Sequence, residues 1–367
     1  TALQMTTAPH ANTYRRVPST STPISPEKVA SVLAAEWELF TKNTKASEVE
    51  SKRAFSSLPL GVTSSFQHWD PYPISIASAE GAYMTDVDGR KLLDLSMGFG
   101  AMLAGHLNPV VVEEIQSSLT KGMLFVTPSP TSTDAAERIC KRFGIDQVRF
   151  TNSGTESTMY AVRVARSATD KMGILKIEGG YHGSYDPFVV SSKPPVDKIG
   201  NPEKPTPYID SNLVPGDIYV VPFNNIPALE KMFKKNAKKL ACFIVEPVLE
   251  NLAIVLPDAG YLERVRELCD QYNVVLIFDE VKTGLTAGAH GAAKRLGVQP
   301  DLITLAKSIG GGLPLAAFGG KKKYMDFVTN NKMAHFGTFN GNPLAMAGVR
   351  AIDRIATEET LGAAEKL

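Results

Sequence analysis

Val274-Val275-Leu276-Ile277-Phe278-Asp279-Glu280 is the stretch on which the fold reading turns. Five consecutive apolar residues are too few for a helix, and they lack the alternation of a half-exposed strand. A run of this kind is a strand buried on both faces, as in a parallel sheet covered by helices. Short apolar runs of the same sort lie at Gln147–Thr151, Gly173–Ile177, Ile218–Val221, Leu240–Val245 and Leu302–Leu305. Helical patterns separate them at Thr131–Arg142, Glu156–Ala168, Asn225–Lys235 and Tyr261–Tyr272. This alternation predicts an α/β fold with a mostly parallel sheet.

In such a sheet, ligands bind at the carboxyl ends of the strands. After Gln147–Thr151 come Asn152-Ser153-Gly154-Thr155-Glu156 and a helix. Hydroxyls, a glycine and a helix N-terminus suit a phosphate, although the same residues make an ordinary helix cap. After Gly173–Ile177 come Glu178-Gly179-Gly180-Tyr181-His182-Gly183, where glycines free Tyr181 to lie over a planar ligand or simply to turn the chain. Asp279 and Glu280 are carboxylates at a buried strand end, and they need partners there. A protonated ring nitrogen would serve Asp279. Leu302–Leu305 delivers Ala306-Lys307-Ser308 and then Ile309-Gly310-Gly311-Gly312-Leu313-Pro314. Desolvation at such a strand end lowers a lysine's pKa and makes the amine nucleophilic. Each feature is weak alone. Together a phosphate cup, a stacking aromatic, an acid and a lysine match a cofactor with a phosphate, a pyridine ring and an aldehyde.

The rest of the chain sets bounds. It has 367 residues, 43% of them hydrophobic and 21% charged, with a net charge of +1. That gives no electrostatic reason to expect nucleic acid or a membrane as partner, and no run is long enough to span a bilayer. Cys140, Cys242 and Cys269 form no disulfide framework or metal spacing, which fits a reducing, cytoplasmic setting. No metal is expected. Residues 1–26 read as a polar N-terminal arm. It is poor in acids, as organelle transit segments are, and equally resembles a disordered tail. Residues 27–125 are expected to form an N-terminal segment and part of a small domain, 126–345 a large domain, and 346–367 the start of a truncated C-terminal segment. A helix over Pro26–Thr44 and a hairpin of Ala82–Asp86 and Lys91–Leu95 about Asp88-Gly89 belong to the first of these.

From about Gly61 to Ala351 the chain resembles class III aminotransferases of pyridoxal-phosphate (PLP) fold type I, near the glutamate-1-semialdehyde aminomutases and their transaminase relatives. The matching stretches include Asp86-Val87-Asp88-Gly89, Gly105-His106, Tyr181-His182-Gly183, Glu246-Pro247-Val248, Phe278-Asp279-Glu280-Val281 and Gly337-Thr338. Asn152–Glu156, Lys307 with Gly310-Gly311-Gly312, and Gly341-Asn342-Pro343 complete the set. The resemblance implies a large domain with a mostly parallel seven-stranded sheet flanked by helices, plus a smaller α+β domain whose C-terminal part is missing here. It implies that Lys307 is the catalytic Schiff-base lysine and that Asp279 pairs with the pyridine nitrogen. Val281 and Tyr181 would lie on the two ring faces, Ser153, Gly154 and Thr155 would hold the phosphate, and Asn251 would sit near the ring hydroxyl. Thr338 would reach the cofactor of the neighbouring subunit, so a homodimer is implied.

Departures bear on the substrate. The aminomutases carry an arginine, associated with the substrate carboxylate, where this chain has Gln67, and a tryptophan where it has Phe99. A neutral Gln67 makes no bidentate charged contact. The expected activity is therefore amino transfer between an amino acid or amine and a keto or aldehyde acceptor. The alternative is an aminomutase, which Asn251 favours. A third reading is a truncated, catalytically weak PLP-binding protein.

Overall fold

The structure, a computed structural model, describes residues 25–192, 194, 196–200, 205–206 and 216–366. Nearly all of the polar arm, residues 1–24, lies outside the described residues. The chain divides into two compact units, residues 1–78 with 84–92, and residues 79–83 with 93–367.

In the first unit a helix spans Pro26–Asn43, started by Ser25, whose Oγ accepts from the Lys28 amide at 3.3 Å. A second helix, Lys45–Ala54, follows at once. The sequence reading missed it because it has almost no apolar face and buries only Ser47 and Ser51. Three short strands, β1 (Ile76–Glu80), β2 (Tyr83–Asp86) and β3 (Lys91–Leu93), pair in that order. The expected Asp88-Gly89 turn joins β2 to β3. Asp88 accepts from the amides of Ala46 and Ser47 at 2.6 and 3.0 Å, which ties the turn to the second helix.

The second unit is built on β4 (Gln147–Thr151), β5 (Gly173–Ile177), β6 (Ile218–Val221), β7 (Leu240–Val245), β8 (Val275–Asp279), β9 (Leu302–Leu305) and β10 (Ala316–Gly320). Their order in the sheet is β4-β10-β9-β8-β7-β5-β6. All pairings from β9 through β6 are parallel, and β10 runs antiparallel between β4 and β9. The seven-stranded, mostly parallel α/β sheet is thus present. The sequence reading missed β10 because Ala316-Ala317-Phe318-Gly319-Gly320 has no β-branched residue. The small residues have a packing reason, since a side chain at Gly319 would run into the Gln147 carbonyl of β4.

The pleat sends alternate residues of each strand into different cores. Leu175, Phe243, Leu276 and Phe278 meet the helices Ile226–Asn236 and Tyr261–Tyr272 on one face. Ile174, Ile244, Ile277 and Phe318 meet the helices Gly154–Thr169 and Lys322–Thr329 on the other. A third cluster covers the β4 and β10 end with Pro130–Phe143 and Pro343–Ile355. Burial on both faces explains why β7 and β8 read as continuous apolar runs. It also leaves the strand ends as the place where polar side chains collect. No helix of the described residues is long and apolar enough to cross a membrane.

Candidate active site

Residues at or after the carboxyl ends of β4, β5, β7, β8 and β9 surround one cavity. Gly154, Thr155, Tyr181, His182, Gly183, Glu246, Asn251, Asp279, Val281, Lys282 and Lys307 line it.

Ser153 caps the helix Gly154–Thr169, its Oγ accepting from the Glu156 amide at 3.2 Å. Ser153 is therefore occupied as a cap and does not line the cavity, whereas Gly154 and Thr155 do. Their amides belong to the first helical turn, which has no acceptors within the helix. Thr155 Oγ1 accepts from the Ser184 amide at 3.1 Å and so fixes the next loop over the helix start.

That loop follows β5. The Tyr181 amide donates to Glu246 Oε1 at 3.0 Å, and Asn251 Nδ2 donates to Glu246 Oε2 at 2.8 Å. One buried carboxylate thus clasps the two loops that carry Tyr181 and Asn251. Burial raises the Glu246 pKa, while nearby His182 opposes the rise. The ring of Tyr181 remains partly open to solvent at the cavity wall.

Asp279 closes β8 and is buried. Its Oδ2 lies 2.7 Å from His182 Nδ1, and its Oδ1 accepts from Thr304 Oγ1 at 3.2 Å and the Val281 amide at 3.1 Å. His182 is the site residue that sequence reasoning passed over. Its only signal was its place beside Tyr181. Lys307 follows β9 with a positive φ of 48°, a conformation a lysine holds only when its surroundings impose it. Burial lowers the Lys307 pKa, Asp279 opposes this, and the charge of Lys282 pushes the same way as burial. Lys282 also lines the cavity.

The remaining expected residues lie elsewhere. Thr338 lines a second, wider cavity with Val126, Phe336 and Asn340. Phe99 is exposed, with φ of 55°, and is not among the residues that line the Lys307 cavity. Gln67 belongs to the first unit, where its Oε1 accepts from Thr63 Oγ1 at 2.8 Å and the Ser64 amide at 3.1 Å.

The residues present fit PLP. A helix N-terminus faces a carboxylate and an amine across one cavity, and glycine keeps room between them. A Cβ on Gly154 would come within 3.1 Å of Val281 Cγ1, and one on Gly183 within 2.8 Å of Thr155 Cα.

Comparison with known proteins points the same way. Residues 65–367 match the family model of the class-III aminotransferases. A protein of Methanocorpusculum labreanum named glutamate-1-semialdehyde 2,1-aminomutase is 42% identical over 300 residues, covering 80% of this chain and 71% of that one. An omega-transaminase from Sphaerobacter thermophilus superposes with a TM-score of 0.81 at 34% identity, over 86% of this chain and 73% of its own. A transaminase solved with PLP bound superposes with a TM-score of 0.81 at 32% identity, over 86% of this chain and 74% of its own. With most of its length matched by the family model, the chain belongs to the class III aminotransferases.

Proposed function

We propose that the protein is a PLP-dependent amino-group-transferring enzyme that works through Lys307, and that isomerisation of glutamate-1-semialdehyde is the reaction it fits best. The observation that supports the chemistry is the buried His182–Asp279 pair in the same cavity as Lys307. The name of the 42%-identical relative supports the substrate.

Bound in this cavity, PLP supplies an electron sink for the pair left when a substrate Cα–H bond breaks. The chain's own residues do the rest. Gly154 and Thr155 offer first-turn amides to the phosphate. Asp279, held at both oxygens, would present its carboxylate to the ring nitrogen, which is preorganised electrostatics of the kind that lowers barriers most. Val281 and Tyr181 would flank the ring. Lys307 would anchor the cofactor and, as a neutral amine, would accept the proton from the substrate Cα. Its lowered pKa suits that task.

Gln67 favours a second reading, transfer between an external amino donor and acceptor, because its amide has no charge to hold a substrate carboxylate. Two measurements test both. The protein loaded with PLP should show a visible band abolished by borohydride, and Lys307→Ala should lack it. A Lys307→Ala protein that kept the band would remove the lysine assignment. Conversion of glutamate-1-semialdehyde with no added donor or acceptor supports the first reading. Dependence on an added acceptor supports the second.

A further inference from the structure

Lys176 lies near the end of β5 and is completely buried, among the largest such side chains in the described structure. Lysine is almost never fully buried without an anionic partner. Here Nζ reaches three neutral oxygens, Phe188 O at 2.9 Å, Val190 O at 2.7 Å and Ser192 Oγ at 3.2 Å. An ammonium has three N–H donors, so the set is matched to the charged form. Two of the acceptors are carbonyls at the C-terminal end of the short helix Asp186–Val189, where a cation is favoured. Burial pulls the Lys176 pKa down to about 7, with Glu246 opposing. An apolar side chain of this length would leave those three oxygens without this donor. The charge instead organises backbone.

We infer that Lys176 is a positioning residue that pins the segment after β5 and thereby fixes His182 and Tyr181 in the cofactor cavity. The contacts run without a break. Ser192 Oγ, one of the three acceptors, lies 2.6 Å from Phe188 O and 3.3 Å from Gly180 O and can donate its single proton to either. The Phe188 ring meets the His182 ring edge to face, with centroids 5.9 Å apart and planes at 71°. His182 Nδ1 holds Asp279 Oδ2 at 2.7 Å. Lys176 therefore lies beneath the loop that supports Asp279 and does not line the Lys307 cavity. The inference rests on the reading that PLP occupies this cavity.

The test compares Lys176→Met with Lys171→Met. Lys171 Nζ donates to Ala237 O and Asn273 O at the ends of two helices and takes no part in the site. Apo-protein is titrated with PLP by absorbance. Lys176→Met should raise the dissociation constant about tenfold over Lys171→Met, as for loss of a charged hydrogen-bond set. A constant within twofold of that control overturns the inference. Hydrogen exchange read by mass spectrometry over peptides covering 179–192 needs no PLP. Exchange should quicken in Lys176→Met, and unchanged protection overturns the pin even if the wild type were found not to take PLP. Should Lys176→Met not fold, Ser192→Ala carries both measurements, with weaker PLP binding and faster exchange expected and wild-type values overturning the inference.

Discussion

At the scale of single residues, Asp279 and Lys307 matter through what holds them. A carboxylate at a buried strand end is costly unless hydrogen-bonded. Here three protein groups hold Asp279 before any ligand arrives: His182, Thr304 and the Val281 amide. His182→Phe removes one charge-assisted hydrogen bond of about 1.5–3 kcal/mol. A ten- to hundredfold fall in kcat/KM should follow, with the borohydride-sensitive band still formed. Activity within twofold of wild type would show that Thr304 and Val281 suffice. The chemistry types were readable from residues next to strand ends, because Lys307 and Asp279 each close an apolar run and Ser153–Thr155 opens a helix just after a strand. The pairing of His182 with Asp279 was not, since 97 residues separate them in the chain.

At the scale of elements, the loops after β5 and β7 are tied to the sheet by buried polar groups. Gly183 sits at φ of 100°, where a Cβ would come within 2.8 Å of Thr155 Cα. Gly183→Ala should cost about 1–3 kcal/mol and weaken PLP binding together, because loop and helix start must separate. Thermal melts and PLP titration check this, and a drop in stability with unchanged PLP affinity would locate the strain away from the cup. A pH effect belongs to the loop before Thr338. The ring of His335 packs edge-on against Tyr160 and Phe318, with centroids 4.4 and 5.1 Å apart. Burial, with help from Arg149, lowers its pKa to about 4, and Glu156 opposes. The unfolded chain then takes up the proton first. Stability from this group is full above pH 6.5 and is lost as pH falls towards 4, by about 1–2 kcal/mol once its partial exposure is allowed for. Urea unfolding at pH 7 and pH 4.5 should show a smaller loss for His335→Gln than for wild type.

At the scale of the molecule, Thr338 does not share the Lys307 cavity. It lines two cavities that share Val126, one with Phe336, which is 81% exposed, and the other with Leu124 and Phe125. Exposed apolar side chains of this kind are where a second copy would be expected to pack, in line with the homodimer that the family resemblance implies. Light scattering should give a dimer mass for wild type. Val126→Asp with Phe336→Asp should give a monomer that binds PLP more weakly. A monomeric wild type with full PLP affinity would remove Thr338 from the cofactor site.

Local residue pattern was enough for the strand set β4 to β9, the three long helices between them, and the residue types at each strand end. A strand's two-sided burial and a helix's cap are written in neighbouring residues. Strand order is a long-range property. The antiparallel insertion of β10, whose small residues carry no strand signal, emerged only from packing against β4 and β9. So did the sequence β8-β7-β5, which sets the loop after β5 beside the end of β8 and brings His182 to Asp279. Val274–Glu280 could announce a buried strand ending in carboxylates. What those carboxylates would meet depended on where the rest of the sheet placed its own ends.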